Sequence, residues 1–123
     1  MTHDQTNNTT DETEEARTAR IRELNDRFRT GAGGAGQVLI TAGIEGLGPD
    51  KARAVYEAVQ RFDDFTADND PYGEHDFGAF DFEGRKIFWK IDTYDLSMTM
   101  MSPDPTDPSV TRRVLTIMLA SEY

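Results

Sequence analysis

Asp68, Asp70, Glu74, His75 and Asp76 place four carboxylates and an imidazole within nine residues. Oxygen-rich sets of this kind hold hard cations such as Ca²⁺ or Mg²⁺, or meet a basic partner. A calcium loop would need an acid or amide at Tyr72 and a Glu at Ala79, so its spacing is absent. A transition-metal site usually takes more than one imidazole, and the only other histidine is His3. No metal site and no cofactor is therefore assigned. Two readings stay open for the segment: a solvated turn whose Asp and Asn side chains cap backbone groups, and a partner-binding surface of Asp68, Asp70, Tyr72, Glu74, His75 and Asp76. A metal or catalytic role stands behind both.

Further along, Lys90, Asp92 and Tyr94 alternate onto one face of an expected strand. Facing away from the helices, Lys90 and Asp92 would meet the Asp70–Asp76 loop and extend the same surface. Carboxylates, lysine and tyrosine together are a conceivable acid–base set. A plain ion pair on the strand is the simpler account. Gly31 to Gly36 spells the dinucleotide pattern GxGxxG, but a helix precedes it and the apolar Val38-Leu39-Ile40 follows. That order is the reverse of what a phosphate at a helix N-terminus needs, so the match is spurious. Met98, Met100 and Met101 read as core filling. Arg112 and Arg113 read as partners for Asp104 or Asp107.

Charge along the chain is sorted. From Phe62 through Gly84 there are eight carboxylates and no Lys or Arg, and five more acids fall in the first fifteen residues. Between them, Arg17 to Arg61 carries eight bases against five acids. The formal net charge of −10 repels bulk nucleic acid and attracts basic protein grooves. With no cysteine, disulfides and thiolate metal sites are excluded. No apolar run approaches the ~18 residues of a membrane span. A cytoplasmic protein, with no membrane and no direct nucleic-acid partner, is the expectation.

The polar residues 1–13 are expected to be a disordered acidic tail, ahead of a single domain over 14–123. Glu14 to Thr30 predicts a helix with Ile21, Leu24 and Phe28 as its buried stripe. Gln37 to Ile44 predicts a strand. Pro49 opens a second helix that buries Ala52, Val55, Tyr56, Val59 and Phe62. Asp76–Phe82 and Arg85–Tyr94 predict a hairpin turning at Glu83-Gly84. Leu96, Met98 and Met100 suggest a further strand, and Asp107-Pro108 a last helix carrying Val110, Val114, Leu115, Ile117, Met118 and Leu119. The sum is an α+β fold, an antiparallel sheet of about four strands packed by about three helices in two layers.

Three stretches resemble one family: 69–78 (Asn-Asp-Pro-Tyr-Gly-Glu-His-Asp-Phe-Gly), 89–92 (Trp-Lys-Ile-Asp), and Ser102 to Pro108 continuing through 113–120. It is a group of small bacterial proteins forming a domain of unknown function, found on plasmids and mobile elements of alphaproteobacteria. The resemblance spans roughly Ile21 to Tyr123. It implies no catalytic residue and only a context, in which counter-defence, toxin control and plasmid upkeep are common roles. Taken with the acidity, the expectation is a non-enzymatic interaction protein of a mobile element. Its partner would be a protein with a basic groove, such as a host defence nuclease blocked by an anti-CRISPR or anti-restriction decoy. The alternative is a small metal-assisted hydrolase using Asp70, Glu74, His75 and Asp92.

Overall fold

The computed structural model describes residues 2–123, with side chains from Thr13 onward. Helix α1 runs Thr2–Arg29, β1 Gly36–Ile40, α2 Ala42–Glu45, α3 Pro49–Arg61, β2 Phe77–Phe82, β3 Arg85–Tyr94 and β4 Arg112–Leu119. The expected tail over 1–13 falls almost wholly on residues whose side chains lie outside the described ones.

The strands form one sheet in the order β1-β4-β3-β2. β2, β3 and β4 are antiparallel neighbours, and β1 lies parallel to β4 at the edge. This is the α+β architecture expected, mostly antiparallel with one parallel pair. The hairpin is where alternation placed it, with Phe82 opposite Arg85. Its helix-facing residues Ile87, Trp89 and Ile91 join Leu115 and Ile117 of β4, Ile44 of α2, and Val55 and Val59 of α3 in the core. Ala52, Tyr56 and Phe62 pack around them, so the apolar face of α3 is the one its sequence announced. On the opposite sheet face Phe77, Phe88 and Tyr123 stack edge-on, with ring centroids 5.2 and 5.5 Å apart.

Three expectations need correction. Residues 112–119 are a strand, not a helix. β4 sits between β1 and β3, and Arg113, Val114, Leu115, Ile117 and Met118 are all buried. A strand covered on both faces loses its polar alternation and reads like a buried helix. Asp107 does cap a turn, accepting from Ser109 N at 2.9 Å, but the turn is a single 3₁₀ unit, Pro108–Val110. Second, Leu96 to Met100 forms no strand. Asp95 Oδ1 accepts from the backbone N of Thr99 at 3.1 Å and of Met100 at 3.4 Å, which folds the segment into a tight loop. Leu96, Met100 and Met101 are exposed rather than core filling. Third, β1 stops at Ile40. Thr41 opens α2, which turns Ile44 into the core, and Glu122 braces that start by accepting from Thr41 Oγ1 at 2.6 Å and Gly43 N at 2.9 Å.

Glycine at 36 is a packing requirement. An added Cβ would run into the Arg113 carbonyl of the adjacent strand, so only a bare backbone lets β1 approach β4 here.

Candidate functional site

The buried face of α1 is Ile21, Asn25 and Arg29, four residues apart, with Leu24 and Phe28 only half covered. Two polar side chains therefore occupy the position where an apolar stripe was expected. Arg29 crosses to the C-terminus of α3, where Nη1 donates to the carbonyls of Val59 at 2.8 Å and Phe62 at 2.9 Å. A cation at this end suits the helix dipole. Its guanidinium lies over the rings of Phe65 and Trp89, and Nη2 pairs with Asp26 at 3.1 Å.

Asp26 also faces the loop. His75 Nδ1 lies 2.9 Å from its Oδ1, and Nε2 lies 3.5 Å from Asp70 Oδ2. The imidazole stacks flat on Phe65, centroids 3.6 Å apart. Asp70 Oδ1 accepts from the backbone N of His75 at 3.2 Å, holding that residue at φ 54°. A non-glycine residue in this left-handed region persists only when its surroundings fix it. Asp70 and His75 are thus joined into a knot with Asp26 and Arg29, and the Asp70 side chain is 5% exposed.

Glu74 and Asp76 flank His75 in sequence and go elsewhere. They line a cleft of about 400 Å³ with Asp92 and Tyr94 of β3, Ile21 and Asn25 of α1, and Met101. β3 outruns β2 at this end: Ile91 N bonds the Asp76 carbonyl at 2.8 Å, and Tyr94 bridges Met101. The cleft opens between those two attachments. Burial, then the charges of Asp76 and Asp70, push the Glu74 carboxyl up from the ordinary range. Burial likewise raises Asp76, aided by Asp70 and Asp92 and opposed by a backbone hydrogen bond. Asp92 pairs with Lys90 of its own strand at 3.0 Å, which raises the lysine.

The surface named from sequence is divided. Glu74, Asp76 and Asp92 meet in the cleft with Lys90 beside them; Asp70 and His75 are turned inward; Asp68 and Tyr72 stand exposed on the loop, Tyr72 at 80%. The carboxylates and imidazole of the hydrolase alternative are split the same way. Among the described residues no group of three or more His, Asp or Glu side chains could hold a metal ion.

Asn25, Asp26 and Arg29 escaped the sequence reading, and Arg113 was given the wrong partner. Asn25 Nδ2 donates to the Glu74 carbonyl at 3.0 Å and its Oδ1 accepts from Arg113 Nε at 2.7 Å. Neither Asp104 nor Asp107 answers Arg113; Asp104 takes Arg17 at 2.9 Å instead. The available signal was the four-residue spacing of Asn25 and Arg29 from Ile21, hidden because a search for apolar periodicity skips polar residues.

Residues 40–122 match the model of the family DUF3768, described as a protein of unknown function, and the chain belongs to that family. No curated protein and no solved structure matches it. No helix among the described residues is long and apolar enough to cross a membrane.

Proposed function

We propose that this DUF3768 protein is a non-enzymatic interaction module whose acidic cleft receives a cationic side chain from a basic protein partner. The observation that carries the reading is the unrelieved charge on Glu74 and Asp76. No ion pair neutralises either carboxylate among the described residues; burial raises both, with Asp76 and Asp70 adding to it at Glu74, and Asp70 and Asp92 at Asp76. Apolar walls at Ile21, Ile91 and Met101 suit the aliphatic stem of a lysine or arginine, and Tyr94 offers a ring for its head. Partner grooves that read phosphate backbones are rich in such side chains. The concrete version is a decoy occupying the basic groove of a nucleic-acid enzyme, with a host defence nuclease of the CRISPR or restriction kind as the target class.

The test is affinity capture from host lysate at low salt, comparing wild type with Glu74→Lys/Asp76→Asn. Asp70 is left intact because its substitution would unlock His75. A basic partner captured by wild type, lost in the variant and released by salt supports the reading. Equal capture by the two proteins would sink it.

A second reading draws on the same raised carboxylates, since a carboxyl that keeps its proton at higher pH can act as a general acid. In the metal-assisted form, divalent ions binding the folded state would raise the melting temperature. A flat response to Mg²⁺, Mn²⁺, Ca²⁺ and Zn²⁺ would count against it.

A further inference from the structure

Opposite in sign to the acidic cleft, a second cavity of about 240 Å³ lies across α1, walled by Arg20, Leu24 and Arg27 of the helix, Gly33 to Ala35, Pro108, Thr111 and Arg113. It has three guanidiniums and no carboxylate in its lining, in a chain whose formal net charge is −10.

Arg113 forms the base. The residue is 3% exposed, yet its hydrogen-bond partners are neutral: Nε donates to Asn25 Oδ1, and Nη2 donates to the Pro105 carbonyl at 2.9 Å. Asp104, Asp107 and Glu23 each have other partners. Asp104 holds Arg17 and Thr106, Asp107 caps Ser109, and Glu23 takes the outer face of Arg20 at 3.2 Å. Arg27, at the rim, has no ion-pair partner among the described residues. Burying a cation without a counter-charge is unfavourable, and a second guanidinium nearby adds to the cost. Burial and then the Arg20 charge hold Arg113 below the ordinary arginine range, which agrees with that cost.

The glycine segment completes the wall. Gly34 sits at φ 120°, and a Cβ there would press on the Phe28 ring at 3.4 Å. A backbone without side chains gives a ligand close access to the chain. The mechanism differs from the dinucleotide pattern these glycines spell, because a strand and not a helix follows them.

We propose that this cavity is a binding site for a phosphate-sized oxyanion, carried by a small phosphate monoester or by free phosphate, with Arg113 as the buried anchor and Arg20 and Arg27 as the outer donors. Guanidiniums present paired N–H groups that match two oxygens of one phosphate. The cavity takes one small anion and leaves no room for a duplex.

The experiment is calorimetric titration of the full chain with inorganic phosphate and, separately, with adenosine 5′-monophosphate, at ionic strength matched by chloride. Each titration is repeated on Arg27→Gln, Arg20→Gln/Arg27→Gln and Lys86→Gln, the last a surface cation outside the cavity. Arg20 and Arg27 are exposed, so these variants keep the fold, and unchanged thermal unfolding without ligand checks it. Saturable binding that falls tenfold or more in the double variant and is unaltered in Lys86→Gln supports the site. Tighter binding of the monoester identifies the ester as the source; equal affinity identifies free phosphate. No saturable binding of either probe up to millimolar concentration, or the same affinity in wild type and the double variant, would overturn it.

Discussion

Asn25 Oδ1 accepts from Arg113 Nε at 2.7 Å, and both side chains are buried. This one bond joins α1 to the central strand, and through Asn25 Nδ2 it also fixes the Glu74 carbonyl at the acidic cleft. The two cavities of opposite sign therefore share a wall.

Removing that acceptor should be expensive. Asn25→Leu fills the space but strands a buried guanidinium, and we expect it to cost about 2–4 kcal/mol. Asn25→Asp keeps an acceptor and adds a counter-charge, so its loss should be smaller. Urea unfolding of the three proteins checks the order. An Asn25→Leu protein as stable as wild type would mean that the bond adds nothing.

Glu74 is expected to make the protein less stable at neutral pH than a neutral side chain would. Its folded-state affinity for a proton is raised, so the folded chain binds that proton more readily than the unfolded chain. Stability from this group therefore falls as pH rises from the ordinary carboxylate value through the raised one. Glu74→Gln removes the dependence, and its melting temperature at pH 7 should exceed that of wild type, by a small margin because the carboxyl is partly solvated. The gap should close below pH ~4, where both proteins are neutral at this position. Equal melting temperatures at pH 7 would refute the account.

Gly78 faces the indole of Trp89 across the β2–β3 pair, and an added Cβ would fall on the ring. Trp89 is fully buried and its Nε1 has no hydrogen-bond partner. Gly78→Ala must displace the indole, and overpacking of this kind costs ~1–3 kcal/mol. Trp89 is the only tryptophan, so its emission reports the displacement directly. Unchanged stability and emission would show that the pair relaxes freely.

Local chemistry made part of this molecule readable. The hairpin followed from alternation on Ile87, Trp89 and Ile91 and from the Glu83-Gly84 turn, and α3 from Pro49 and its apolar face. Val114 to Met118 misled because the central strand is apolar on both sides, a condition set by neighbours and not by its own pattern. The acidic segment was visible as composition, but its division was not. Asp70 turns inward because Asp26 and Phe65 hold His75, and Asp26 comes from α1, 49 residues away. Spacing within one segment carries no record of such contacts, and the same is true of Asn25 and Arg113, 88 residues apart.

The placement of β4 also governs how the protein can be made. One of the two inner strands of the sheet is the last of the four in sequence, and it pairs Gly36 with Arg113 and Ile87 with Leu119. Until residues 112–119 are available, β1 has no neighbour and the hairpin has one side unpaired. Contacts of such long sequence separation slow folding, because loop entropy is lost before pairing repays it. A chain interrupted ahead of β4 lacks the strand that joins β1 to the hairpin, and the basic cavity loses Arg113. The four-stranded sheet closes only with β4.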